Sequence, residues 1–257
     1  MTAALNVECL SITRGQRPVL QDLHFSLNRG EMLALVGPNG SGKSTLMQCI
    51  AGLLKPQSGR IYIDGCSLDE QLVEARTRLG YMVPQEQLPG LLSGRQCLEL
   101  FARSRGLNEI PAESLLQAER LGLSPWTDKW VMNYSLGTRQ KLSILLALID
   151  APPLILLDEP LNGLDPVSAL ALKKMLRELS SRQNCCIVMA THDLAIIEQL
   201  RSHVIVLLDG RIMLDWDQAR IRQETSRRGQ SLEEVIVQAL SAPLFGENLL
   251  RQVPVEE

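Results

Sequence analysis

The sequence predicts an α/β fold: a mostly parallel sheet, an antiparallel β portion near the N-terminus, and a helical insert. Three observations predict it. Short apolar runs rich in Val, Ile and Leu alternate with amphipathic stretches along the 257 residues. One of these runs, Leu33–Val36, leads through a glycine-rich loop into a helical segment. Between Gln85 and about Asp150 the apolar period turns helical and interrupts the strands.

The strand candidates are Leu33–Val36, Arg60–Ile63, Leu154–Leu157, Cys186–Ala190 and Val204–Leu208. Continuous apolar runs of this kind are expected of parallel strands buried on both faces by helices. Leu23, Phe25 and Leu27 instead alternate with His24 and Ser26, which predicts a half-exposed antiparallel strand with His24 on its solvent side. Asp64-Gly65 and Asp209-Gly210 carry the signal of tight turns. The insert is read from LSGRQCLELFARSRGL and PAESLLQAERLGL; Trp126, Trp130 and Trp216 are expected in its core, with marking interfaces as the alternative. After Trp216 the chain becomes charged, until Ser231-Leu-Glu-Glu234 opens a helix as a capping box. The expected division is a main domain over 1–215, with its helical part at about 86–150, and a short helical extension over 216–257, whose last dozen residues carry no strong pattern.

The composition suits such a domain, with 45% hydrophobic residues. Lys and Arg number 26 against 29 Asp and Glu, so no bulk charge draws the chain to nucleic acid. The six cysteines form no C-x-x-C pair and the three histidines show no metal-ligand spacing, so the cysteines are expected as buried reduced thiols. MTAALNVECLSI lacks the basic head and apolar stretch of a signal peptide. No uninterrupted apolar run approaches the ~18 residues of a membrane span. The expected location is cytoplasmic.

The loop carries the clearest chemistry. Gly37-Pro38-Asn39-Gly40-Ser41-Gly42-Lys43-Ser44-Thr45 is G-x-x-x-x-G-K-[ST], set between a strand and a helix as that motif requires. Phosphate oxygens need many donors converging on a small volume. Glycines let backbone N–H groups turn inward, and the helix beginning near Gly42 adds its positive dipole end. Lys43 is expected to reach the β- and γ-phosphates, and the Ser44 hydroxyl to ligate Mg²⁺. The strand Leu154–Leu157 ends in Asp158 and Glu159, expected to hold Mg²⁺ through its water shell and to polarise the attacking water respectively. These features predict a P-loop NTPase core.

With these motifs stand Val83-Pro84-Gln85, Tyr134–Lys141, Asn162-Gly163-Leu164-Asp165 and Thr191-His192-Asp193. All six occur in the order found in the ATP-binding cassette (ABC) ATPases, which the chain resembles over about residues 5–215. The resemblance implies ATP and Mg²⁺ as cofactors and two copies, or a pseudo-dimer, closing head to tail over two ATP molecules. It implies that Gln85 contacts Mg²⁺ and the attacking water, and that His192 contacts the γ-phosphate. From the opposite chain, Ser135 and the Gly137 backbone would bind the γ-phosphate, and Asp165 would cross the interface.

The sequence departs from the family twice. In Ser135-Leu136-Gly137-Thr138, Leu136 stands for a glycine and Thr138 for the usual glutamine. The serine hydroxyl, the Gly137 N–H and the helix dipole remain, so a working variant is expected, with the Leu136 side chain turned away if its φ stays negative. Arg14 occupies the place where many members stack an aromatic residue on adenine. Its guanidinium either lies against the base or points to solvent.

Among the kinds of ABC protein, the segment resembles the subunit of a transporter whose transmembrane permease subunits are encoded separately. Such a subunit sits peripherally on the inner face of the membrane. Leu88-Pro-Gly-Leu-Leu92 would dock the permease or fill the insert core. The Tyr-Ser-x-Gly opening followed by Arg139-Gln140-Lys141, the closing SLEEVIVQAL and the short tail resemble exporter-type members. A soluble iron–sulfur assembly ATPase is the alternative. A nucleic-acid machine, with two cassettes or a long coiled coil, is not expected.

Overall fold

The computed structural model describes residues 3–192, 197, 200 and 202–245. Two sheets organise it. The first is four-stranded and antiparallel, in the order β2-β1-β4-β5. Its strands are β1 (Leu5–Arg14), β2 (Arg17–Leu27), β4 (Ser58–Ile63) and β5 (Cys66–Ser67). The second is six-stranded, in the order β10-β9-β3-β8-β7-β6. It comprises β3 (Met32–Val36), β6 (Leu79–Tyr81), β7 (Leu154–Asp158), β8 (Cys186–Ala190), β9 (His203–Leu208) and β10 (Arg211–Trp216). All its pairings are parallel except β9 with β10.

The second sheet is buried on both faces, as its continuous apolar strands require. Leu33, Leu35, Leu154, Leu156, Val188 and Ile205 point to one side, where they meet helix α1 (Lys43–Ile50) and the antiparallel sheet. Ala34, Val36, Ile155, Leu157, Met189 and Val206 point to the other. There they meet α5 (Leu136–Leu148) and α6 (Pro166–Gln183). Period-two alternation thus splits each strand between two cores.

Helices α2 (Leu72–Thr77), α3 (Gly94–Ser104) and α4 (Ala112–Arg120) complete the part before α5, and α3 to α5 lie between β6 and β7. Ser93 and Gln96 cap α3 reciprocally as a capping box. After β10 come α7 (Gln218–Arg228) and α8 (Leu232–Phe245). The Ser231–Glu234 box is formed: Ser231 N–H donates to Glu234 Oε2 at 2.8 Å and Glu234 N–H to Ser231 Oγ at 3.2 Å.

Four expectations need correction. Arg60–Ile63 belongs to no parallel sheet; β4 pairs antiparallel with β1, Leu5 opposite Ile63 and Val7 opposite Ile61. Ile61 and Ile63 are buried while Arg60 is exposed, the one-sided pattern of an antiparallel strand. Cys9 is exposed, in an irregular stretch of β1 with φ 48°, whereas the other five cysteines are buried. Trp216 is buried at the end of β10, outside the insert. Trp130 is 56% exposed, where its backbone bridges to Ser93.

Other expectations hold. His24 is exposed between buried Leu23 and Phe25. Both Asp-Gly pairs turn with positive φ at each residue, 49° and 81° for Asp64 and Gly65, 48° and 75° for Asp209 and Gly210. The last dozen residues and Asp193 lie outside the described residues. No helix among the described residues is long and apolar enough to cross a membrane.

Candidate functional site

A cleft of about 680 Å³ opens where β3 and β7 end and α1 begins. Ligand crevices form at this edge of open parallel sheets. Asn39, Gly40, Gly42, Lys43, Ser44 and Thr45 line it, facing Asp158 and Glu159.

The loop is held by contacts that only glycine permits. Gly42 caps α1 with φ 108°, and a Cβ there would lie 2.9 Å from the Val19 carbonyl oxygen. The β9–β10 turn supports it from below, with the Gly210 N–H donating to the Ser41 carbonyl at 3.1 Å. Lys43 folds over the loop and donates from Nζ to the carbonyls of Gly37 (2.6 Å) and Pro38 (3.1 Å). Burial holds its pKa below the ordinary 10.5, against the opposing pull of Glu159 and Asp158. The Ser41 hydroxyl is buried and finds no hydrogen-bond partner among the described residues.

Ser44 Oγ donates to Asp158 Oδ2 at 3.0 Å, so a hydroxyl and a carboxylate meet at the mouth of the loop. Burial raises the Asp158 pKa above 3.8, with the Ser44 hydrogen bond pulling it back. Glu159 has φ 46°, a left-handed backbone that costs a non-glycine residue about 1–2 kcal/mol. Its Oε1 lies 2.9 Å from Nδ1 of His192. Sequence-distant residues from the ends of β7 and β8 are thus in contact.

Gln85 starts a single 3₁₀ turn and does not line the cleft. Its Nε2 donates to Oε1 of Gln140 on α5. Arg14 does line the cleft, joined by Arg17 from across the β1–β2 turn. No aromatic residue is among the lining side chains described.

The Tyr134–Lys141 segment is absent from the cleft of its own chain among the described residues. Ser135 caps α5, accepting from the Thr138 N–H at 3.2 Å and pairing with the Thr138 hydroxyl at 2.8 Å. Such a cap contributes about 1 kcal/mol. Leu136 does not have positive φ and is 72% exposed. A Cβ on Gly137 would lie 2.7 Å from the Gly163 carbonyl oxygen, so the start of α5 rests directly on the Asn162–Asp165 turn. Asp165 caps α6 through Ser168, and its Oδ2 lies 2.9 Å from Lys141 Nζ.

Arg17, Gln21, Asp209, Gly210 and Gln140 were not among the candidates read from sequence. For Arg17 a signal existed: a two-residue turn, Gly15-Gln16, places it opposite Arg14.

A glycine-rich loop at the end of one parallel strand, facing two carboxylates at the end of another strand with β8 between them, is the nucleotide site of a P-loop NTPase. The chain belongs to the ABC transporter family, whose model matches residues 20–162, and it is an ATP-binding cassette ATPase. It is 34% identical over 237 residues to the ABC transporter ATP-binding protein YdbJ of Bacillus subtilis, covering 91% of this chain and 73% of that one. It is 32% identical to the bacitracin transport ATP-binding protein BcrA of Bacillus licheniformis, over 83% of this chain and 69% of that one. A solved ATP-binding subunit of an ABC transporter superposes with a TM-score of 0.85 and 33% identity, covering 93% of this chain and 99% of that chain.

Proposed function

We propose that this chain is the subunit that drives an exporter by closing on ATP against a second copy, with transmembrane permease subunits supplied as separate chains. The observation that carries the reading is the placement of Ser135 and Gly137. They open a helix whose N-terminal end is exposed at Leu136 and lines no part of the chain's own cleft. A helix N-terminus with a serine hydroxyl binds anions. It therefore serves the nucleotide of another copy, and Asp165 lies beside it at that interface.

Within the cleft, Lys43 exchanges the Gly37 and Pro38 carbonyls for β- and γ-phosphate oxygens. The loop amides from Gly37 to Thr45 and the Ser41 hydroxyl supply further donors. Ser44 and Asp158, both hard oxygen donors, fit Mg²⁺ shared with phosphate oxygens and water, with Gln85 joining them once released from Gln140. That ion would neutralise charge on the phosphates. No cluster of three or more His, Cys, Asp or Glu side chains forms a separate metal site among the described residues. Glu159 orients the attacking water and accepts its proton. His192 holds the Glu159 carboxylate in place and faces the γ-phosphate. Catalysis is positioning and electrostatics.

Export is supported by the Tyr134-Ser135-Leu136-Gly137 opening, which resembles exporter-type members, and a transport role by the name of the bacitracin relative. Docking on a permease is supported by Leu91, 77% exposed beside exposed Met132 and Trp130, while Leu88 is spent in the core. Docked in this way, the chain would sit peripherally on the inner face of the cell membrane. The test is to tag the chain in its host, solubilise membranes in mild detergent and identify what copurifies. A polytopic membrane protein at equal stoichiometry is expected. Recovery from cytosol alone, or with a soluble partner, overturns the transporter role.

A further inference from the structure

Gln140 is 2% exposed on the second turn of α5, and both ends of its carboxamide are engaged. Oε1 accepts from Gln85 Nε2, and Nε2 donates to the Glu159 carbonyl oxygen at 2.9 Å. One side chain therefore ties the helix begun by Ser135 to the Val83–Gln85 segment and to the end of β7. Ser143 lies on the same helical face and is fully buried; its hydroxyl donates to the Val83 carbonyl. Further along that face, a Cβ on Gly80 would lie 1.9 Å from the Ala147 carbonyl oxygen, so α5 packs directly on the β6 backbone.

The Glu159 end of this link is the strained one. Its positive φ is held by three hydrogen bonds. Its N–H donates to the Ala190 carbonyl at 2.9 Å, and its carbonyl accepts from the Asn162 N–H at 3.2 Å as well as from Gln140. Gln85 does not line the cleft while its Nε2 donates to Gln140, and a move into the cleft that draws this amide away breaks that bond. The Gln140 oxygen would then be buried without a donor, which low-dielectric surroundings penalise. The carboxamide must rotate or α5 must shift, and either alters the bond to Glu159.

We propose that Gln140 is a positioning residue that sets the Glu159 backbone according to where Gln85 stands, linking the start of α5 and the Val83–Gln85 segment to the attacking-water site. This rests on the roles proposed above for Gln85 and Glu159. Turnover, ATP affinity and melting temperature are to be measured on the full chain for Gln85→Ala, Gln140→Met, their double variant and Gln140→Glu. Gln140→Met should lower kcat about tenfold or more while ATP Kd stays within about twofold. The double variant should be no slower than the slower single. Gln140→Glu keeps an acceptor for Gln85 but loses the donor to Glu159. Its rate relative to wild type should recover as pH falls and the buried carboxyl protonates. Additive losses in the double variant, a wild-type rate in Gln140→Met, or equal losses in kcat and affinity would overturn the proposal. If Gln140→Met melts early, a pH-independent ratio for Gln140→Glu overturns it alone. A wild-type chain without ATPase activity would overturn this inference and the proposed function together; an active wild type with additive variants removes only the role of Gln140.

Discussion

His192 Nδ1 lies 2.9 Å from Glu159 Oε1, although 33 residues separate them. The contact follows from sheet register. Asp158 on β7 sits opposite Ala190 on β8, so the residues just beyond each strand end emerge side by side. The pair is formed in the chain alone, before any second copy closes on it. Glu159→Gln should therefore lower turnover by about 10²–10⁴-fold, the usual contribution of a positioned base, with ATP affinity retained. Size-exclusion chromatography with ATP should show a long-lived dimer. A variant that stays monomeric and hydrolyses ATP normally removes Glu159 from the site.

Gly137 packs where no Cβ fits, 2.7 Å from the Gly163 carbonyl. Gly137→Ala must push the start of α5 away from the 162–165 turn, displacing the Ser135 hydroxyl and the helix amides together. ATP-driven dimerisation should weaken at least about tenfold, since misplacement of this order is costly in oriented sites. ATP binding to the monomer should change little, because this segment does not line its own cleft. Ser135→Arg, which adds bulk and removes the cap, should abolish dimerisation. Light scattering with and without ATP separates the two effects.

Arg14 and Arg17 bring two guanidinium groups to the cleft, where the proposed nucleotide would present its base and no aromatic side chain is found among the described lining residues. A guanidinium stacks on either purine and carries only donors, which suit guanine O6 and N7 at least as well as the adenine edge. ATP should be preferred over GTP by less than about a hundredfold, and Arg14→Tyr should sharpen the preference. Competition binding with the two nucleotides measures both.

Asp165 has its pKa lowered below the ordinary 3.8, first by the Ser168 hydroxyl, then by the Ser168 N–H and by Lys141. A carboxylate with a depressed folded pKa adds stability that is present above its unfolded value and lost as pH falls through the folded one. Asp165→Asn should therefore cost stability at neutral pH and flatten the acid limb below pH 3.8. Urea midpoints measured across that range check the slope. An unchanged slope would mean that the Lys141 and Ser168 contacts do not persist in solution.

Most of the residues lining the cleft were legible in the chain because they are contiguous: Gly37–Thr45 form one loop, and Asp158-Glu159 end one strand. Such local patterns encode their own geometry, since glycine conformation, helix start and strand end are decided within a few residues. The Arg60–Ile63 misassignment shows the limit. Its apolar content was read correctly, but its sheet was decided by Leu5 and Val7, more than fifty positions away. Cys9 and Trp130 are likewise exposed at pairings with distant residues, an irregular stretch of β1 and a backbone bridge to Ser93. Gln140 was read only as one position of the Tyr134–Lys141 motif, with no role of its own. A glutamine in a helix becomes a link between Gln85 and Glu159 only when packing excludes water around it and leaves each end of its amide a single partner. Motif identity is thus written in neighbouring residues, whereas the wiring between motifs exists only once burial has chosen which distant groups must satisfy one another.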